Sequence, residues 1–530
     1  MKTIKRIDLT PAGIDALLAR VRPTVEEKDF ELIKAMAETI AYLSQAVNER
    51  KTSISRLLKA IFGATSEKTR DVIKDALRGG DDDVPPDDGE EAQGQGKKRK
   101  GHGRTAATDY TGAERVVVPH ESLQGGDPCP SCLKGKVYVQ KEPKRVVRVT
   151  GDSPLKAAVY EQERLRCNLC GTIFTATAPE GVGEDKYDAR AAAMIALLKY
   201  GSGFPFYRLA GLQEGFGIPL PPSVQWEIVR DAAKVIFPVY DEIIRCAAQG
   251  EVLHNDDTVA KILSLVGDTT PVEEGGKERK AVQTTGIVSM TGERKVYLFF
   301  TGKKNAGENL DRLLALRASD LGAPVLMCDG LAASLPEQYR VILSNCLAHG
   351  RRNFVEVALQ FPKECKHLLT SLGKVYKIDE GCRKQAMSPQ ERLEEHQKLS
   401  QPIMGELKVW LEKQQNSKVI EPNSSMGQAV NYMIKRWDQL TLFLRVAGAP
   451  LDNNICERAL KKAILHRKNS LFYKTEQGAM VGDMYMGMIH TARENGLSPF
   501  EYLVTLLEHA EEVKEDPSAW LPWNYRDNLD

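Results

Sequence analysis

The sequence predicts a multidomain α+β protein, and three observations carry that expectation. The chain runs to 530 residues, more than one domain needs. Its hydrophobic periodicity switches several times between helical and strand spacing. Two Cys-x-x-Cys pairs, Cys129/Cys132 and Cys167/Cys170, mark out a small unit of their own. Hydrophobic residues make up 42% and charged residues 27%, so sizeable cores can form without staples. The formal net charge is only +1, so any basic surface for a polyanion must be local. The other six cysteines are scattered, a usage suited to a reducing compartment. MKTIKRIDLTPAG has no apolar signal core and no long apolar run occurs, which predicts a cytoplasmic protein without a membrane partner.

Residues 1–78 read as helix. Ile33, Met36, Ile40, Leu43, Val47, Ile54, Leu57 and Ile61 fall at alternating steps of three and four, with Arg50 as the one interruption. That spacing predicts an N-terminal coiled coil and self-association, because a 3.5-residue period keeps one stripe facing a partner helix. An amphipathic helix packed on its own domain is the plainer alternative. Residues 79–105 pair an acidic block around Pro85-Pro86 with a basic block, Lys97 to Arg104, and read as a disordered charged linker.

Residues 106–182 hold short strand-like runs and the two cysteine knuckles, 34 residues apart. Two knuckles complete a tetrahedral four-thiolate site for one structural Zn²⁺, so Cys129, Cys132, Cys167 and Cys170 predict a zinc ribbon. Residues 183–249 read as three helices with short Gly/Pro turns, the last starting at Ser223 after Pro221-Pro222 and bent at Pro238. Such a unit is compatible with a helix-turn-helix DNA-binding module, or with spacer packing.

From residue 250 the order is three strands, a helix, a short apolar strand from Pro324 to Cys328, a further helix, and a strand from Val341 to Asn345. This is the order of the ribonuclease H-like fold, in which the first and fourth strands are neighbours. Asp256 on the first strand would then face Asp329 at the end of the fourth. Two such carboxylates repel, and a divalent cation relieves the repulsion. Phosphoryl transfer on two ions needs a third acid, and Glu457 is the candidate, on a helix that Asp452 or Asn453 can cap. Lys461 shares its face one turn on, and Arg467, Lys468 and Asn469 follow as phosphate-binding candidates. Asp329 and Glu457 stand 128 positions apart, so 351–446, nearly all helical, reads as an all-α insertion between 250–350 and 447–495. Arg351 and Arg352 at its start are candidates to grip a phosphate, with solvated helix-start charges as the alternative.

At this point the sequence resembles the insertion-sequence-66 family of transposases, from about residue 10 to residue 510. The resemblance rests on Leu57-Leu58-Lys59-Ala60-Ile61-Phe62-Gly63, the paired knuckles, Lys199-Tyr200 with Phe204-Pro205-Phe206-Tyr207-Arg208, Cys346-Leu347-Ala348-His349-Gly350-Arg351-Arg352-Asn353-Phe354, and Asp452-Asn453-Asn454 with Glu457-Arg458-Ala459-Leu460. It implies a bacterial DNA transposase of the DDE type with Asp256, Asp329 and Glu457 as its triad. On two Mg²⁺ (or Mn²⁺) ions it would cleave phosphodiester bonds at the element ends and transfer the freed 3′-OH to target DNA. Register on the motif favours Asp256 as metal ligand, with Asp257 behind it or turned to the opposite face. Cys346-x-x-His349 resembles a Cys/Asp-x-x-His motif found in several groups of DDE transposases. Zinc held by Cys346 and His349 with Cys365 and His367 is one reading, and a packed core pair the other. The run Arg467-Lys468-Asn469-Ser470-Leu471-Phe472 also resembles the family's glutamate motif, except at Ser470, where an aromatic residue is expected. The implied partners are double-stranded DNA, further copies of the chain (at least a dimer) and small accessory proteins of the same element. The alternatives are a non-catalytic DNA-binding protein derived from a transposase and a structure-selective nuclease on the same fold. Residues 496–530 read as a C-terminal helix capped by Ser498-Pro499-Phe500-Glu501, with a tail docked through Trp520 and Trp523.

Overall fold

The computed structural model describes residues 18–25, 29–31, 33–34, 108, 117–119, 121–132, 134–140, 147, 151–166, 168, 170, 172–180, 185–268, 281–416, 420 and 424–529. Nearly all of the expected coiled coil, the charged linker and Cys167 lie outside the described residues. Two compact units result, one of residues 84–156 and one of residues 1–83 with 157–530.

In the smaller unit the described residues form turns about the first knuckle. Cys129 N donates to Gly135 O (2.7 Å) and Gly126 N to Val137 O (2.8 Å). The strand-like runs at 115–119 and 136–140 form no strand over their described residues, apart from an isolated bridge between Lys136 and Pro128. Val117, Val118 and Val139 are more than four-fifths exposed, so no packed face holds an extended segment there. In the larger unit, β1 (Arg164–Arg166) and β2 (Ile173–Thr175) make a small antiparallel pair.

Among the described residues, three α-helices lie between β2 and the main sheet: α1 (Ala189–Ala196), α2 (Phe206–Gly215) and α3 (Pro222–Ala248). Helix α3 starts one residue earlier than the sequence suggests. Pro222 occupies its first turn, where a missing N–H costs nothing, and Ser223 lies inside the helix, not at its cap. Pro238 lies within the continuous helix.

The sheet has five strands in the order β5-β4-β3-β6-β7. The strands are β3 (Val252–Ala260), β4 (Val282–Thr291), β5 (Arg294–Gly302), β6 (Val325–Cys328) and β7 (Ile342–Asn345). The first three form an antiparallel meander, and β6 and β7 add on in parallel beside β3. Gly292, at φ 56°, supplies the positive φ that the two-residue turn between β4 and β5 needs. Strand β6 is buried throughout, as expected of an apolar strand covered on both faces.

Helix α4 (Ala306–Leu314) follows β5 and opens with a capping box from Asn305 and Glu308. The helix expected between β6 and β7 is not formed; one 3₁₀ turn, Ala332–Ser334, stands there. Two causes are visible. Pro336 has no N–H, and the Asp311 carboxylate takes the next two, from Glu337 (2.9 Å) and Gln338 (3.0 Å).

The insertion comprises α5 (Leu347–Val357), α6 (Pro362–Lys384), α7 (Pro389–Glu395), α8 (Gln401–Asn416) and α9 (Ser425–Lys435). Its core, including Phe354, Leu369, Leu372, Leu407 and Met433, runs on to Val252 and Val325 at the starts of β3 and β6. A buried ionic knot ties its helices together: Asp379 pairs with Arg392 (2.6 Å) and Arg383 (3.1 Å) and also meets His396 (3.2 Å).

The chain then returns to the sheet as α10 (Asn454–Ser470) and α11 (Glu476–Glu494). Helix α11 covers the free edge of β5. Its side chains accept the outward amides of that strand: Thr301 N to Asp483 (2.6 Å), Tyr297 N to Thr491 Oγ1 (3.0 Å) and Lys295 N to Asn495 Oδ1 (3.2 Å). Gly487 permits the close approach, since a Cβ there would lie 3.0 Å from Tyr297 O. Helix α12 (Pro499–Glu508) begins with Ser498 Oγ accepting from Glu501 N (3.4 Å), and α13 (Ala510–Glu515) follows it. Trp520 is buried in the body and Arg294 lies over the Trp523 ring.

Candidate active site

Strand alternation sorts the residues of β3 onto two faces. His254, Asp256 and Thr258 point to α10. The His254 Nδ1 meets Asn453 Oδ1 at 3.0 Å, and Thr258 Oγ1 accepts from Arg467 at 3.3 Å. Asn255 and Asp257 point to the other face. Asn255 Nδ2 donates to Ser334 O (2.7 Å), while Asp257 accepts from Thr285 Oγ1 (2.5 Å) and from Ala306 N at the start of α4 (2.9 Å). Both oxygens of Asp257 are thereby occupied by protein donors.

Asp329 directly follows β6, which pairs with β3 through His254 and Met327. Two steps further along this parallel register, Asp256 stands level with Asp329. Leu331 N (2.9 Å) and Ser334 Oγ (3.0 Å) hold one oxygen of Asp329. Gly330 turns the chain at φ 79°, and a Cβ there would collide with Asn345 Nδ2 at 2.8 Å.

Glu457 sits in the first turn of α10; Asn453 holds the cap position without a side-chain capping bond, and Asp452 Oδ1 accepts from Asn454 N (3.1 Å) instead. The buried Asn453 side chain also donates to Asn255 O (2.9 Å), and its amide donates to Cys346 Sγ (3.2 Å). Gly286, the cross-strand partner of Asp256, lets α10 settle on the sheet; a Cβ there would come within 2.9 Å of Leu460. At the far end, Arg467 is held by Thr258 Oγ1 and Val259 O, and Tyr473 pairs with Lys261 and Leu263. Lys199 donates to Ser470 Oγ (2.7 Å), so the departing residue of the motif has a buried ammonium as its partner. Burial lowers that lysine to about 8.

The electrostatics link the three acids. Burial pushes the Asp256 carboxyl up to about 6, with the charges of Asp329, Glu457 and Asp257 adding to it and the Asp257 amide opposing. Burial also raises Asp257, against its bonds to Thr285 and Ala306. Glu457 Oε1 lies 3.7 Å from His349 Nε2, and Oε2 lies 4.0 Å from Arg352 Nη2. Glu457 Oε1 is buried and accepts no hydrogen bond. Crowded carboxylates with an orphaned oxygen suit a hard divalent cation such as Mg²⁺ or Mn²⁺.

The other sequence candidates lie as follows. Lys461 and Lys468 are exposed on α10, Asn469 is half-buried, and Arg467 is engaged with the end of β3. Arg351 and Arg352 are half-buried on the first turns of α5. Cys346 and His349 group with Glu457, one donor atom from each lying within 4.8 Å of the others. Cys365 is buried in the insertion core, and the His367 ring packs on Trp410 at 4.9 Å. In the smaller unit the amides of Lys134 and Gly135, then Cys129, lower the Cys132 thiol. Cys170 lies 3.1 Å from Thr172 Oγ1. Sequence reasoning missed His254 and gave Asn453 no role beyond a helix cap. The available signal was the step of two from His254 to Asp256, and Asn453 lies four residues before Glu457.

The sequence profile described as "Transposase IS66 family" matches residues 186–481. Three relatives come from Sinorhizobium fredii, and each is named only as an uncharacterized protein. Protein y4jD is 25% identical over 515 residues, 93% of this chain and 97% of that protein. Protein y4hP is 25% identical over 451 residues, 78% of this chain and 75% of its own. Protein y4qI is 22% identical over 563 residues, 97% of this chain and 98% of its own.

Proposed function

The chain belongs to the IS66 family of transposases, and from that premise we propose that it is a DDE transposase with a ribonuclease H-like catalytic domain. In this reading Asp256, Asp329 and Glu457 hold two Mg²⁺ or Mn²⁺ ions, and the chain cleaves element-end DNA and joins the 3′-OH to target DNA. The observation that carries the reading is the convergence of three acids from β3, the end of β6 and the first turn of α10: burial brings the Asp256 carboxyl up to about 6, and the charges of Asp329 and Glu457 add to it. When bound, divalent ions supply the Lewis acidity that phosphoryl transfer requires.

The protein's own part is positioning. Asn453 pins the start of α10 to β3, and Ser334 with the Leu331 amide orients Asp329. Lys461 and Lys468 are exposed on the same helix as Glu457 and are suited to gripping phosphates, as are Arg351 and Arg352 at the start of α5. Asp257 is a structural partner of α4 in this reading, not a metal ligand. The four-cysteine zinc unit at 106–182, the helical DNA-binding module at 183–249 and the N-terminal coiled coil belong to the same proposal, as do double-stranded DNA and a second copy of the chain as partners.

The test sets a mobility shift beside a cleavage assay on element-end DNA. Asp256→Ala, Asp329→Ala and Glu457→Ala should each bind DNA at least as well as the parent, because losing an anion relieves repulsion toward phosphate. Cleavage and strand transfer should fall by orders of magnitude, as expected when metal placement is lost. Normal cleavage by any of the three would remove that residue from the triad. Cutting by the parent without joining would favour a nuclease.

A further inference from the structure

Beside the carboxylate trio stands a cluster of mixed donor chemistry. Cys346 immediately precedes α5, His349 lies one turn in, and Glu457 approaches from the first turn of α10. Their donor atoms lie within 4.8 Å of one another. Two further observations point to a ligand. Glu457 Oε1 is buried without a hydrogen-bond partner, although such an atom is costly to leave unsatisfied. The sulfur, by contrast, is prepared: Cys346 Sγ accepts from Asn453 N at 3.2 Å and from the His349 amide. Burial raises the thiol to about 11 against those two amides. Amides aimed at sulfur stabilise the thiolate.

The spacing suits one kind of ion. The 3.7 Å between His349 Nε2 and Glu457 Oε1 is too long for a hydrogen bond. Tetrahedral zinc, with bonds of about 2.0–2.3 Å, holds its donors roughly 3.3–3.6 Å apart. A small rotation of the half-buried His349 closes the difference. Mg²⁺ demands oxygen ligands and does not compete for a thiolate and an imidazole.

We infer that Cys346, His349 and Glu457 form a site for a thiophilic divalent ion of the zinc class, sharing Glu457 with the carboxylate trio. Binding releases the thiol proton to solvent and leaves the fourth position to water. Occupation draws Glu457 toward α5 and away from Asp256 and Asp329, so zinc would oppose the Mg²⁺-dependent reaction. That consequence rests on the proposed function; the binding itself rests only on the cluster.

The test uses full-length protein dialysed against micromolar Zn²⁺, with bound zinc counted by elemental analysis. The parent should hold one equivalent more than Cys346→Ala and one more than His349→Ala. The histidine is half-exposed, so its variant decides the matter if the cysteine variant does not fold. Equal zinc in the parent and His349→Ala, at unchanged circular dichroism, overturns the site. In a second arm, micromolar Zn²⁺ added to the Mg²⁺-driven cleavage reaction should slow the parent at least tenfold. It should slow His349→Ala much less, relative to that variant's own rate without zinc. An extra zinc equivalent without inhibition overturns the sharing of Glu457. A parent that does not cleave at all counts against the proposed function, and the zinc count still decides the site.

Discussion

Asp256 and Asp257 are chemically identical neighbours to which the proposed function gives different duties, and strand alternation separates them. Asp257 spends both oxygens on Thr285 and the α4 amide of Ala306, so it is a structural acceptor. Asp257→Asn should lower stability by about 1–2 kcal/mol through those bonds, while Mg²⁺-dependent cleavage by the folded fraction persists. Denaturant titration and cleavage on the same sample check this. Asp256→Asn should do the reverse. Its carboxyl is raised to about 6, so the stability it contributes is present below its unfolded value and lost as pH rises through 6. At neutral pH the charged form burdens the fold, and the amide should leave stability equal or higher while cleavage stops. In the parent, cleavage should decline as pH falls below about 6, where the proton competes with the metal. A flat profile from pH 8 to 5 would argue against Asp256 as a ligand.

Helix α10 is the element on which the site depends, and Asn453 is its anchor. The Asn453 side chain meets His254 and Asn255 on the strand that carries Asp256, so this amide helps to set the register between the two acids. Asn453→Ala should cost about 1–3 kcal/mol, because it leaves buried groups unsatisfied. It should also raise the Mg²⁺ concentration needed for half-maximal cleavage, since Glu457 loses its reference to β3. A variant that loses stability but keeps the same Mg²⁺ dependence would show that the anchor serves the fold alone.

Across the whole molecule, buried histidines make the fold acid-sensitive. Burial holds His254 down to about 4, with its bond to Asn453 opposing. Burial likewise holds His466 and His490 down to about 3, the former with the Lys199 charge adding. Each stays neutral when folded and takes up a proton when unfolded, so its contribution is full above about 6.5 and is lost as pH falls toward 4. Asp483, raised to about 7 by burial, and Asp256 work in the opposite direction over part of that range. The three histidine shifts together are larger, so the melting temperature should fall between pH 6.5 and 4. A constant value would contradict the neutral-histidine assignment. At the same scale, deleting residues 29–62 should lower the mass seen by light scattering. A full-length chain that stays monomeric at tens of micromolar would remove the coiled-coil dimer.

Much of the central sheet was legible in the sequence. Strand period, the turn residue Gly292 and the apolar run ending at Asp329 are local signals, set by residues a few positions apart. The polar ends of those strands and the charged start of the Glu457 helix mark out chemistry in the same local way. The strands expected around the first knuckle did not form, because alternation alone does not supply a face to bury. The helix expected after Asp329 failed for one local and one distant reason: Pro336 lacks an N–H, and Asp311, on another element, takes the next two amides. Likewise only packing decided that α11 would cover the edge of β5, that Lys199 would hold Ser470, and that Cys346 and His349 would meet Glu457 and not Cys365 and His367. Periodicity records what a residue's neighbours in the chain require of it. Which side chain satisfies a buried amide or lies opposite a carboxylate is set by elements that meet only once the core has closed.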